Sequence, residues 1–252
     1  MQKLSIVINC KDAAGVIAKT LQSFTGLTDD IVVYDNGSTD DTEEIVKQNG
    51  AAYFKGSWEG YGKTKNKANS LAKYNWILSL DADEAIDDEL KKALLQLPCN
   101  NEKAVYDLQF KTFIGEKRIK YGEWRGDHHI RLFNRNDVQW DYAEVHEQFI
   151  IPVGTAVKKL KGYVLHRTSG SFQQFEKKMV NYAALNAEKY FKEGKKPWWG
   201  KQWLSTAFSF LQNYIFRLGF LDGKPGFDCA RISARYTFLK YAKLKELSQR
   251  QQ

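Results

Sequence analysis

The stretch WILSLDADEA, residues 76–85, decides how this chain is read. A short apolar run, Trp76 to Leu80 with one serine inside it, meets Asp81, Asp83 and Glu84. Such a run predicts a buried strand. Three carboxylates at its end repel one another and lose hydration, so the arrangement implies a partner that neutralises them. Asp81 and Asp83 can converge on one cation in a turn just past the strand. Hard divalent cations take carboxylate oxygens and commonly add phosphate and water. Glu84 is expected in the first turn of the following helix, where acids favour the N-terminus.

Outward from this stretch the pattern repeats. LSIVINC (4–10), DIVVYD (30–35) and AAYFK (51–55) predict three more strands. Helical spacing follows at 13–25, with Ile17, Leu21 and Phe24 on one face, and at 40–49, 62–74 and 85–97. This alternation predicts an α/β fold, an open and mostly parallel Rossmann-like sheet flanked by helices. After residue 100, AVYDLQFKTFIG and KRIKYGEW predict a hairpin about Gly115, and HHIRLFNR, QFIIPVG and GYVLHRT add strands, partly antiparallel. From residue 172 the chain reads as helical. The expected division is a domain over 1–170, with halves 1–100 and 101–170, and a helical C-terminal extension over 171–252.

With 43% hydrophobic and 27% charged residues among 252, the chain is an ordinary globular protein with a sizeable core. Its net charge of +8 is uneven: residues 1–100 carry 11 Lys and Arg against 15 Asp and Glu, and residues 101–252 carry 27 against 15. A basic second half suits nucleic acid, an anionic membrane or a phosphorylated substrate, or is simply a solvated surface. No aromatic-basic RNA motif or helix-turn-helix signature supports nucleic acid. The opening MQKLSIVINCKD reads as a strand and not as a secretory signal. Cys10, Cys99 and Cys229 form no CxxC pair, which suits a reducing, cytosolic setting. The aromatic stretch 198–221 has only 15 residues between Lys201 and Arg217, short of the roughly 20 a membrane span needs. It reads either as a buried core helix or as an interfacial helix with Lys and Arg facing anionic lipid.

In an open parallel sheet, ligands bind beyond the carboxyl ends of the strands. There the sequence places Lys11 and Asp12, then Asp35, then Asp81 and Asp83, all expected at one crevice. Asp35, before Asn36-Gly37, reads as turn chemistry or as an acceptor for a nucleobase or ribose. Trp124, Arg125 and Arg131 suit an acceptor pocket, since Trp stacks on sugars and Arg pairs with phosphate or carboxylate; Arg131 reads equally as a structural ion pair. His128 and His129 read as surface residues. A Walker loop is excluded because Ser57 stands where its first glycine belongs, and a zinc protease because Ile150 stands at the second His of HExxH.

LSIVINCKD, IVVYDNGSTDDT, WEGYGKTKNKA, WILSLDADE, HHIRLFNR with VHE, and FLDG, in this order, resemble family 2 glycosyltransferases of the glycosyltransferase A fold. They look most like the branch of lipopolysaccharide-core β-1,4-glucosyltransferases. The resemblance implies an inverting transferase that moves a hexose, glucose in the first place, from a UDP-sugar to a lipid-linked glycan, with Mg²⁺ or Mn²⁺. It implies nucleotide contacts from Lys11, Asp12, Asp35, Lys65, Asn66 and Asp81, and metal contacts from Asp83, Asp81 and His166. Glu147 of VHE matches the acceptor-side acid and is expected to be the general base, with Asp127, Asp141 and Glu144 as rivals. His146 is expected beside the acceptor, orienting that loop. The implied setting is the inner face of a bacterial cytoplasmic membrane, with the protein peripheral on an anionic surface. One departure is Ala13, where many relatives carry Glu after the first strand. The alternative is a catalytically inactive nucleotide- or glycan-binding protein of the same fold.

Overall fold

The computed structural model describes residues 3–100, 103–141 and 148–250. The chain divides into two compact units, Met1–Phe110 with Asp127–His166, and Lys111–Gly126 with Arg167–Gln252.

In the first unit, β1 (Leu4–Cys10), β2 (Ile31–Asp35), β3 (Ala52–Lys55) and β4 (Trp76–Asp81) are parallel, in the order β3-β2-β1-β4. They are joined by α1 (Ile17–Ser23), α2 (Thr42–Gln48) and α3 (Tyr61–Ser70). Covering both faces explains the unbroken apolar runs. Leu4, Ile6 and Ile8 meet Ile17, Leu21 and Phe24 of the α1 region on one face, and Val7 and Ile77 meet Ala68 and Ala72 of the α3 region on the other.

The sheet then turns antiparallel. β5 (Glu84–Ile86) leads into α4 (Asp88–Leu95), followed by β6 (Ala104–Ile114), β7 (Lys117–Ile119), β8 (His128–Asn134), β9 (Gln139–Trp140), β10 (Phe149–Ile150) and β11 (Ala156–Ser169). The main path runs β3-β2-β1-β4-β8-β6-β11-β5. In a flat sheet β4 and β5 would lie about 19 Å apart, four spacings of ~4.8 Å. Only Ala82 and Asp83 separate them in the chain, and three Cα steps reach at most ~11 Å. The sheet therefore curls, and the DADE turn sits where its far edge comes round to β4.

The predicted helix over 85–97 is shorter, because Glu84–Ile86 pairs with Val164–His166 of β11. Asp87 caps α4, accepting from Leu90 N at 2.9 Å and also from Tyr163 N of β11 at 3.0 Å. Glu84 thus belongs to a strand and not to a helical first turn, and that expectation is corrected.

The second unit contains the hairpin about Gly115, where Thr112–Ile114 of β6 pair with β7. Its helices are α5 (Phe172–Lys192), α6 (Lys201–Leu211) and α7 (Lys224–Gln249). Ile114, Ile119, Phe175, Cys229 and Ile232 form its core. Residues 111–126, placed by the sequence reading with the first 170, cluster with these helices because their apolar side chains close that core. α6 buries no residue. Trp199, Trp203, Phe208 and Phe216 are exposed, which removes the buried-core reading of 198–221.

Candidate active site

The parallel register sets the site. On β1, Cys10 lies beside Asp35 of β2, and Asn9 lies beside Asp81 of β4. Asp35 is fully buried. It accepts from Ser38 N at 3.1 Å, Ser38 Oγ at 2.7 Å and the Tyr53 hydroxyl. Burial and this carboxylate push the Cys10 thiol up to about 12 and raise the Tyr53 phenol as well. The oxygens of Asp35 are therefore already engaged in holding its loop. Its neighbour Asn36 donates to Cys10 O at 3.1 Å, and its Oδ1 is buried without a partner among the described residues, as is the whole Asn9 amide. Asp12, at φ 49°, clasps the same loop by accepting from Thr39 N at 2.8 Å. Lys11 is exposed.

At the curl, the Arg131 guanidinium of β8 reaches Glu84 Oε1 at 2.5 Å and Asp81 Oδ2 at 3.4 Å. Glu84 also accepts from Asp81 N at 3.0 Å. Of the two readings of Arg131, the structure gives the ion pair: its charge is spent on the acids of the DADE turn. Burial pushes the Asp81 carboxyl up, but Arg131 and Lys65 outweigh it and hold it below its ordinary value. Glu84 lies above its ordinary value because burial, with Asp81 adding, exceeds what Arg131 restores. His166, opposite Glu84 in the register, brings Nε2 to 3.5 Å from Asp83 Oδ2. Burial would lower its imidazole; the Asp83 contact outweighs this and raises it.

Asp83 and the half-exposed carboxylate of Asp81 lie at the turn, with His166 of β11 against Asp83. The 3.5 Å separation suits two ligands of one ion, each about 2.1 Å from it. No group of three such side chains among the described residues encloses an ion alone. A divalent cation held by these side chains would therefore need further oxygens, such as those of a diphosphate and water.

Beside it opens a cleft of about 760 Å³. Lys65, Asp81, Asp107, His128, Arg131 and Trp140 are in its wall. Lys65 Nζ stands 4.4 Å from the Trp140 ring centroid. Asn66 holds that tryptophan's backbone, donating to its O at 2.8 Å and accepting from its N at 3.0 Å, so its amide serves the cleft wall. His128 Nδ1 lies 2.8 Å from Asp107 and His129 Nε2 lies 2.9 Å from Asp127. Both imidazoles are about half exposed, yet they are built into the wall. Sequence reasoning missed Asp107; the available signal was an acid amid the apolar run of AVYDLQF. Asp107 Oδ1, Arg131 Nε and Trp140 Nε1 are buried without partners among the described residues. Such atoms cost free energy until something pairs with them.

Glu147, His146 and the rival Glu144 lie outside the described residues. The ends of that segment are tied together: Asp141 N donates to Gln148 O at 2.8 Å, and Gln148 N donates to Asp141 Oδ1 at 3.1 Å. Trp124 lies 5.5 Å from the Phe175 ring, and Arg125 lies 5.9 Å from the Tyr121 ring, in both cases within the second unit.

The Glycosyl transferase family 2 model matches residues 5–159. An uncharacterized glycosyltransferase of Rickettsia prowazekii is 28% identical over 270 residues, covering 100% of this chain and 90% of its own. A lipopolysaccharide core biosynthesis glycosyltransferase of Rhizobium meliloti is 27% identical over 252 residues, covering 96% of this chain and 91% of its own. Among solved structures, S. aureus TarS 1-349 in complex with UDP aligns over 100% of this chain and 92% of that one, with 17% identity and a TM-score of 0.48. With its family model spanning the strand-end acids and the cleft, the chain belongs to glycosyl transferase family 2.

Proposed function

We propose that this transferase moves a hexose, glucose in the first place, from a UDP-sugar to a lipid-linked glycan such as a lipopolysaccharide core, with inversion at the sugar C1. The observation that carries the reading is the cleft: Asp81 of the DADE turn is in its wall, and the wall residues Asp107, Arg131 and Trp140 each hold a buried polar atom without a partner among the described residues. Asn9 and Asn36 offer amide groups for the uracil and ribose, and Asp35 and Asp12 shape the loop that presents Asn36. Lys65, in the cleft wall, supplies positive charge beside the departing diphosphate, while Arg131 stays paired with Glu84 and Asp81. Asp83, Asp81 and His166 would hold the divalent cation, which when bound neutralises charge on the leaving group.

The displacement also needs a base for the acceptor hydroxyl. Glu147 is assigned that role from its VHE motif. The Rhizobium relative's core-biosynthesis name supports a lipid-linked acceptor. So does the second unit, which has 21 Lys and Arg against 8 Asp and Glu and exposes Trp199, Trp203 and Phe216. No helix among the described residues is long and apolar enough to cross a membrane. The proposed location is therefore peripheral, on the inner face of a bacterial cytoplasmic membrane.

The test is hydrolysis of a UDP-sugar panel with Mn²⁺ or Mg²⁺ and with chelator, for the wild type, Asp83→Asn and Glu147→Gln. Chelation and Asp83→Asn are each expected to abolish turnover. Glu147→Gln is expected to keep donor binding and lose turnover about 10²-fold or more. Metal-independent hydrolysis overturns the role of Asp83. Donor binding with no hydrolysis of any UDP-sugar favours the inactive binding protein.

A further inference from the structure

The second unit contains a cleft of about 400 Å³ whose wall includes Tyr190, Lys195, Lys196, Trp198, Lys201 and Tyr241. Its charges share rings. Lys195 Nζ lies 4.1 Å from the Tyr190 centroid, and Lys240 Nζ lies 4.9 Å from the centroids of both Tyr190 and Tyr241. Lys201 Nζ lies 5.9 Å from Tyr241. Three ammonium groups therefore gather around two tyrosines, with Lys196 beside them in the wall. One acid answers them: Glu193, 2.6 Å from Lys195. Among the described residues no carboxylate lies within ion-pair distance of Lys196, Lys201 or Lys240.

Two features show that the lysines are not there to satisfy the ends of the neighbouring helices. The last carbonyls of α5 are already served by backbone, since Gly194 N donates to Phe191 O at 2.9 Å and Lys195 N to Tyr190 O at 3.0 Å. α6 starts at Lys201 with no side-chain cap and no acid in its first turn, so its positive end adds to the same field. Lys240, half-buried, is pushed below the ordinary lysine value first by burial and then by Lys195 and Lys201. An anion between the lysines relieves that repulsion, and the tyrosine faces hold the ammonium groups in place around it.

We propose that this cleft is a phosphate-binding site, taking a phosphomonoester or phosphodiester from a lipid headgroup or from a soluble phosphorylated compound. All its residues belong to the second unit, and the inference does not depend on the transferase reading. Trp198, half exposed at the rim beside the fully open Trp199, suits a headgroup in a bilayer surface.

The experiment uses the full chain and four variants at low ionic strength. Lys201→Gln/Lys240→Gln removes the site, and Lys201→Arg/Lys240→Arg preserves its charge. Lys177→Gln/Lys245→Gln removes equal charge from exposed positions elsewhere in the unit, and Asp83→Asn serves as a control for the donor site. Inorganic phosphate and glycerol 3-phosphate are titrated calorimetrically. Phosphatidylcholine vesicles with and without phosphatidic acid are used for co-sedimentation, and circular dichroism confirms folding. The pocket glutamine pair is expected to lose phosphate binding and to weaken binding to phosphatidic-acid vesicles about tenfold or more. The arginine pair, the distant glutamine pair and Asp83→Asn are expected to stay within threefold of wild type. Binding of phosphatidic-acid vesicles without the soluble phosphates assigns the site to lipid, and binding of the soluble compounds alone assigns it to a soluble ligand. Equal losses in the two glutamine pairs, or unchanged binding in the pocket pair, overturn the proposal. Donor hydrolysis is not a readout, so failure here leaves the catalytic reading untouched.

Discussion

Replacing Arg131 by methionine tests the physical account of the DADE turn. The Arg131 side chain is 10% exposed and that of Glu84 2%, with 2.5 Å between the charged atoms. Removing one partner of such a pair leaves the other charge buried and uncompensated, at a cost of about 3–5 kcal/mol. Asp81 enlarges the penalty, because it already raises the Glu84 carboxyl. Without Arg131 the folded Glu84 moves further above its ordinary value of 4.5. A raised acid means the folded state binds more protons than the unfolded one, so stability falls as pH rises through the window above 4.5. The loss in Arg131→Met is therefore expected to be largest at neutral pH and to shrink as Glu84 protonates. Adding Glu84→Gln removes the stranded charge and should return about 1–3 kcal/mol at neutral pH. Equilibrium urea unfolding across pH, with amide exchange at β4 and β8 to localise the effect in the first unit, measures this. A loss under ~1 kcal/mol in the single variant, or no recovery in the double, refutes the reasoning.

Gly162→Ala is expected to destabilise the first unit by at least ~3 kcal/mol, because φ there is +93° and a Cβ would meet Leu90 N at 2.0 Å; thermal unfolding reads it. Asn66→Ala removes both hydrogen bonds to the Trp140 backbone, which predicts a loss of about 1–3 kcal/mol and a weaker donor KM, seen by urea unfolding and kinetics. Burial raises the Asp127 carboxyl, but the His129 hydrogen bond outweighs it and the net shift is downward. A depressed acid contributes stability above its unfolded value of 3.8 that is lost as pH falls through the folded value. Asp127→Asn should flatten that acid limb and cost under ~1 kcal/mol at pH 7, since His129 is 53% exposed; pH-dependent unfolding decides.

The parallel strands were legible because each is a local apolar run closed by a polar turn and a helical period. Ile6, Ile8, Leu78 and Leu80 needed no partner to be recognised as core. The roles at the site were less legible because they depend on residues distant in the chain. Glu84 looked like a helix starter until β11, some eighty residues on, paired with it. Arg131 carried two readings that only its 2.5 Å approach to Glu84 separates. Asn66 sits in a motif suggestive of nucleotide contact, yet its amide holds a backbone 74 positions away. Asp107 was hidden by its own strand. α6 shows the opposite limit: its composition fits a core helix as well as an interfacial one, and only its exposure in the fold separates the two.

These assignments give the crowded acids of WILSLDADEA a division of labour. Because β4 and β5 are separated by two residues, the curl brings Asp81, Asp83 and Glu84 together whatever their charge. Glu84 points inward, and its pairing with Arg131 keeps both out of water without a ligand. That leaves Asp81 with its carboxylate half exposed and Asp83 held loosely by His166 at 3.5 Å. Lys65, in the cleft wall with Asp81, offsets one charge more. Arg131 and Lys65 offset two of the three carboxylate charges, and the His166 imidazole beside Asp83 offsets part of the third, so little negative charge is left at the turn. On the proposed reading, this balance would select a cation arriving with a diphosphate, which would bring the missing oxygens. Removing Glu84 alone would disturb that selection, because Arg131 would then be free to neutralise Asp81 and the turn would lose its remaining charge.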